Sequence, residues 1–188
     1  MKIIQIVGTN GKGSTAAMIA HTLIKNQYKT GLFTSPHLVT VHERIRINNL
    51  PIPDSEIDFF ISKFKADIEK TEATFFETTT AMAFWYFKKE KVDIAIMETG
   101  LGGRLDSVSV CKPQVVVITP VSLDHMEILG ESLAEIAEEK AGVMKKGVPC
   151  ISAHQPGEVK KVLLAEAKKR SAPFFYMGQK NGCPYKLN

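Results

Sequence analysis

Hydrophobic and polar positions alternate with two different periods along this chain of 188 residues. Short, nearly continuous apolar runs fall at Ile3–Val7, Lys29–Thr34, Val92–Met97, Gln114–Thr119 and Val148–Ser152. Such runs predict buried strands of a parallel sheet covered on both faces. Between them, apolar residues recur every three or four positions, the spacing of a helix with one face in the core. That spacing predicts helices over Ser14–Asn26, from Asp54 through Ile57, Phe60, Ile61 and Phe64, over Thr78–Lys89, over Ser132–Lys145 and over Gly157–Ser171. Asp54 reads as a cap, Ser132 with Glu135 as a capping box, and Gly147 as a helix stop. Glu43–Asn48 alternates charged and apolar residues and predicts a half-exposed strand, followed by a turn at Asn48-Asn49 with Pro51 and Pro53. Phe75 and Phe76 read as a loop before the third helix, packed on the core. Pro173–Met177 reads as a last edge strand.

Strands and helices alternate throughout. The fold class is therefore α/β, a mostly parallel sheet flanked by helices and joined by right-handed crossovers. One domain over residues 1–177 and an irregular tail over 178–188 are expected.

Composition narrows the function classes. Apolar residues make up 44% of the chain and charged residues 23%, with a net charge of +4. Lys and Glu are interspersed, which implies neither nucleic acid nor a membrane surface as partner. The three cysteines, Cys111, Cys150 and Cys183, are widely spaced and odd in number, the pattern of reduced thiols. No signal segment or spanning run is expected, and the cytoplasm follows as the expected compartment.

The densest chemistry lies in Gly8-Thr9-Asn10-Gly11-Lys12-Gly13-Ser14-Thr15, between the first strand and the first helix. Glycines let a chain turn so tightly that successive N–H groups face one point, and a helix start adds unpaired donors and a positive dipole end. Lys12 supplies a full charge for outer phosphates, and Ser14 or Thr15 a hydroxyl for Mg²⁺. Gly13 separates the lysine from the hydroxyl pair that normally follows it directly.

Other candidates sit where strands end. Ser35, before Pro36, is a metal or substrate ligand or a turn serine. Glu98 closes an apolar strand beside Gly100, Gly102 and Gly103, the position of a magnesium ligand in a nucleotide site. Arg104 and Asp106 follow, free to pair with each other. Asp124-His125 leaves the fourth strand, where the imidazole either binds metal, acts as a base or is structural. Lys140, taken alone, is a solvated charge.

Together these segments resemble folylpolyglutamate synthase and dihydrofolate synthase, of the Mur ligase superfamily. The resemblance rests on Gly8 to Thr15, Thr34-Ser35-Pro36-His37-Leu38, Glu43-Arg44-Ile45, Glu98 with Gly100 to Asp106, Leu123-Asp124-His125 and Glu139-Lys140-Ala141-Gly142, in the family's order. It implies a P-loop NTPase-like Mur ligase central domain. Thr9, Asn10, Gly11, Lys12, Gly13, Ser14 and Thr15 would hold ATP; Ser14, Ser35, Glu98, His125 and Lys140 would hold Mg²⁺, with Lys140 as a carbamate. Lys12, Lys140 and His125 would carry catalysis. The implied reaction adds L-glutamate to folate or dihydropteroate through an acyl phosphate. The Ser35–His37 loop and Phe75–Glu77 would border the pterin.

The chain departs from the family at Thr99, Ser107 and Ser109, and neither the family's helical segment before the first strand nor its C-terminal glutamate-binding domain is expected in it. A truncated ligase is the first expectation. A MgATP- or folate-binding module without ligation is the second, and a Mur-type ligase acting on cell-wall precursors the third.

Overall fold

The computed structural model describes residues 1–177, so the tail expected over 178–188 lies outside the described residues. The element order is β1 (Lys2–Val7), α1 (Lys12–Lys25), β2 (Thr30–Phe33), a 3₁₀ turn at Val41–Arg44, β3 (Ile45–Ile47), β4 (Leu50–Pro51), α2 (Asp54–Thr71), α3 (Phe75–Lys89), β5 (Ile94–Glu98), a 3₁₀ turn at Ser107–Val110, β6 (Val115–Ile118), α4 (Met126–Leu129), α5 (Leu133–Ala141), β7 (Cys150–Ser152), α6 (Gly157–Lys169) and β8 (Phe174–Tyr176). The strands form one sheet in the order β4-β3-β2-β5-β1-β6-β7-β8. The run β2-β5-β1-β6-β7-β8 is parallel, and β3 and β4 extend it antiparallel at one edge.

Chain direction sets which face each helix covers. The connection from β1 to β2 steps one way along the sheet, while the later parallel crossovers step the other way. A right-handed rule then puts α1 on one face and the later helices on the opposite one. The core follows this division. Ile6, Leu32 and Ile96 pack with Ala16 and Ala20 of α1. On the other face, Ile3, Phe33, Ala95 and Met97 meet α2 and α3, and Val7, Val116 and Ile118 meet α5 and α6. Val115 and Val117, expected to be covered, are only half-buried, because α1 is the one helix over their face among the described residues.

Local chemistry shifted several boundaries. Thr74 accepts the N–H of Glu77, and the Glu77 carboxylate accepts the Thr74 N–H, so this capping box starts α3 at Phe75. Phe75 and Phe76 are thus helical and not in a loop. The N-cap of α2 is Pro53, and Asp54 instead meets His42 at 2.8 Å. Glu43 and Arg44 belong to the 3₁₀ turn, leaving a strand of three residues, Ile45–Ile47. Asn48 and Asn49 both take positive φ and form the tight β3–β4 hairpin. The Ser132–Glu135 box is present, but α5 stops at Ala141, well before Gly147. Short α4 was not expected at all.

Candidate active site

The parallel strands β1, β5 and β6 end side by side, and their C-terminal loops build one site. After β1, Gly8 takes φ +148, and a Cβ there would run into the Thr119 side chain just beyond β6. Only glycine lets the chain pass this close. Gly11 caps α1 in a left-handed conformation with no side-chain cap, and the first turn of α1 contains no acidic residue. The opening N–H groups of that helix have no helical acceptor, so an anion can take them.

The loop is not free along its whole length. The N–H groups of Thr9 and Asn10 both donate to the carbonyl of Pro120, at 3.0 and 3.3 Å. The Thr9 hydroxyl donates to the Ser122 carbonyl and accepts the Ser122 N–H, both at 3.1 Å, and the Asn10 amide donates to the Ser122 hydroxyl. The N–H groups left open to a ligand are therefore those of Gly11 to Ser14, while Thr9 and Asn10 anchor the turn. Thr15 continues the helix through its N–H bond to Gly11. Lys12 turns its Nζ back to the Thr9 carbonyl at 3.0 Å.

Glu98 is 3% exposed at the end of β5. Its carboxylate faces Gly13, where a Cβ would stand 3.5 Å from Oε2. The Ser35 N–H donates to that oxygen at 3.2 Å, which brings the loop after β2 into the site; the Ser35–Pro36 bond in it is cis. Burial pushes the Glu98 carboxyl up, against the lowering pull of the Ser35 N–H and Lys12. A buried carboxylate with one hydrogen bond lacks counter-charge, a deficit that a divalent cation would fill. Among the described residues no three His, Cys, Asp or Glu side chains gather as a metal cage. A single carboxylate suits Mg²⁺, which keeps several waters and phosphate oxygens.

Lys140 is far from the solvated charge expected of it alone. It is 4% exposed, and its Nζ donates to the Gly8 carbonyl at 3.1 Å. Burial first, then the nearby Lys12 charge, pushes its ammonium down to about 8, while Asp124 acts in the opposite sense. Asp124 connects this group to His125, 3.7 Å from it by Nε2, exposed and in a left-handed conformation. Lys12 thus acts electrostatically on both Glu98 and Lys140, while His125 enters the cluster from its rim through Asp124.

Arg104 and Asp106 do not pair. Asp106 accepts the N–H groups of Gly100, Leu101 and Val108 and so shapes the glycine loop. Arg104 pairs with Glu139 at 2.7 Å, and its N–H donates to the Glu139 carbonyl. A Cβ on Gly103 would lie 2.7 Å from that same carbonyl, so the loop after β5 rests directly on the α5 backbone that carries Lys140.

Sequence reasoning missed the residues that brace these loops. Gln5, fully buried in β1, donates to Ser109 at 2.9 Å and to Thr99 at 3.4 Å, and Ser109 in turn donates to the Gly103 carbonyl. Ser107 donates to Thr80. The hydroxyls at Thr99, Ser107 and Ser109 therefore have partners. Gln155 holds the other side by accepting the Val121 N–H and donating to the Thr119 carbonyl. The one available signal was a glutamine inside an apolar strand.

A cleft of about 360 Å³ opens beside the glycine loop, lined by Phe76, Leu101, Gly102, Asp106 and Ile128. A larger groove of about 870 Å³ runs between α2, α3 and the 104–110 segment, past Phe64, Phe84 and Trp85.

A model of the Mur ligase middle domain matches residues 6–183. The chain belongs to the Mur ligase family. It is 44% identical over 181 residues to a dihydrofolate synthase/folylpolyglutamate synthase of Bacillus subtilis, covering 93% of this chain and 42% of that relative. It superposes on a solved FPGS–AMPPCP–folate complex with a TM-score of 0.91 at 36% identity, covering all of this chain and 48% of the other. An E. coli FolC in complex with DHPP and ADP gives a TM-score of 0.89 at 33% identity, with 94% and 42% covered. The chain thus spans less than half the length of these family members. No helix among the described residues is long and apolar enough to cross a membrane.

Proposed function

We propose that this chain is the nucleotide-binding part of an ATP-dependent carboxylate–amine ligase that adds L-glutamate to folate or dihydropteroate. The observation that carries the reading is the meeting of three elements at one mouth: Lys12 where the glycine turn enters α1, buried Glu98 at the end of β5, and buried Lys140 of α5 donating to Gly8. The relatives' names and bound ligands support the substrate class.

In this reading the amides of Gly11 to Ser14 and the Lys12 ammonium hold the β- and γ-phosphates of ATP. Glu98, Ser14, Ser35 and His125 would hold Mg²⁺, which would offset charge on the phosphoryl group in transfer. An acceptor carboxylate oxygen attacks the γ-phosphorus, the bond to the ADP oxygen breaks, and an acyl phosphate forms. The glutamate amine then attacks the acyl carbon, and phosphate leaves as the amide forms. The cleft beside Phe76 has the size and apolar wall for a flat heterocycle.

Lys140 takes part as a carbamate. With its ammonium near 8, about a tenth of the amine is neutral at pH 7 and open to CO₂, releasing one proton. The product is an anionic oxygen donor where a buried ammonium would repel a metal.

Residues 1–177 act as the ATP-binding domain, and the compartment is the cytoplasm. A second reading is a MgATP- and folate-binding module without ligation. Calorimetry with MgATP followed by a glutamate-dependent phosphate-release assay separates them. Tight binding with glutamate-stimulated release supports the ligase; binding alone leaves the module.

A further inference from the structure

Arg44 is a guanidinium without a carboxylate. It is 9% exposed, and none of the ion pairs among the described residues includes it. Arg104 and Arg170, by contrast, pair with Glu139 and Glu166. The acid next to Arg44 in the chain is occupied: Glu43 accepts the N–H groups of Leu38, Val39 and Thr40, each at 2.9 Å.

What Arg44 does touch fixes its pose. Its Nε donates to Nδ1 of His37 at 2.8 Å, and its guanidinium carbon lies 5.2 Å above the centre of the Phe75 ring. Its two terminal nitrogens have no partner among the described residues. Every fully buried side-chain nitrogen and oxygen there is hydrogen-bonded, so those terminal nitrogens reach solvent. The stem is packed and the fork is open. Burying a guanidinium is unfavourable unless an anion completes it, and a planar fork on an aromatic face suits the two oxygens of a carboxylate.

Its position gives that anion a place. The Arg44 carbonyl accepts the N–H of Thr34, and the next residue, Ser35, holds Glu98. Phe75 adjoins Phe76, which lines the smaller cleft. We infer that Arg44 reads a carboxylate of the acceptor acid, pairing both terminal nitrogens with its oxygens while the ring system lies toward Phe76. This rests on the ligase reading above and assigns its substrate specificity to one side chain.

The test is calorimetric titration of the chain, saturated with a non-hydrolysable MgATP analogue, using folic acid and its dimethyl ester. Wild type binds the acid about tenfold or more tighter than the ester, the size expected of a charge-assisted pair. Arg44→Gln brings the ratio to within about twofold and leaves affinity for the MgATP analogue unchanged. Arg44→Lys keeps the buried charge, loses the fork and retains a ratio of about threefold; it decides the matter if the glutamine variant does not fold. An undiminished ratio in a folded variant overturns the assignment, as does a variant that loses nucleotide affinity and keeps the ratio. If wild type binds acid and ester equally, Arg44 falls and the folate reading stands. If it binds neither, both fall.

Discussion

Lys140 donates from Nζ to the carbonyl oxygen of Gly8 at 3.1 Å, across 132 positions of sequence. The bond ties the end of α5 to the start of the glycine turn. It also explains why a lysine is this deeply buried: its stem packs under the loop while its head stays at the site.

Replacing that lysine separates chemistry from folding. Lys140→Met retains the apolar stem. It leaves the Gly8 carbonyl without its donor but removes a buried ammonium, so stability changes by no more than about 2 kcal/mol. Turnover with glutamate falls on the order of a hundredfold or more, and small carboxylic acids added to Lys140→Ala recover part of it. Calorimetric unfolding and phosphate release measure the two effects, and an unchanged rate would remove Lys140 from the metal site.

Lys12 and Lys25 occupy the two ends of α1 and make a matched comparison. Lys12→Ala should weaken MgATP binding about tenfold or more, the worth of a charged contact to phosphate. Lys25→Ala, at the far end, should change it less than about twofold. Equal losses in the two titrations would place the phosphates elsewhere.

Gly8→Ala tests the close passage beside Thr119. The added methyl meets the Thr119 hydroxyl in a backbone conformation that side chains rarely adopt. Destabilisation of roughly 1–3 kcal/mol is expected from strain and crowding. Gly8→Ala with Thr119→Ala recovers only part, because the Thr119 carbonyl would still lie 3.0 Å away. Thermal unfolding of the two variants reads this directly, and full recovery would show that the side chain alone is the obstacle.

Glu43 gives a pH signature. Three backbone N–H donors, first that of Leu38, pull its carboxyl from 4.5 to about 2. Because the folded value is the lower one, its stabilisation is complete above about pH 4.5 and is lost as pH falls toward 2. The amide resonances of Leu38, Val39 and Thr40 should therefore titrate together near pH 2. A midpoint near 4.5 would mean that the three bonds are not held in solution, and Glu43→Gln should abolish the shared transition.

Much of the sheet was legible in sequence because its strands are buried runs of β-branched residues and its helices repeat cleanly. The parallel order could not be read, since adjacency of β5, β1 and β6 depends on which crossovers skip a strand. Glu98 and the glycine turn announced themselves by standing at strand ends. Lys140 did not by its own pattern: the resemblance singled it out, and folding shows that its side of α5 lies under Gly8. The Arg104–Glu139 contact was equally hidden, because Arg104 had a nearer acid in Asp106 and that acid is taken by backbone N–H groups. Gln5 was hidden for the opposite reason, as a polar group whose partners, Thr99 and Ser109, come from a distant loop.

The pair of bonds from Thr9 and Asn10 to Pro120 has a mechanical consequence. It rivets the glycine turn to the segment leading to Asp124-His125, so the two cannot shift separately without breaking the rivets. A ligand that displaced the turn with these bonds intact would carry Pro120 and Ser122 with it. In the proposed ligase, a nucleotide seated on the turn would therefore bear directly on the strand-exit segment, with no intervening helix required.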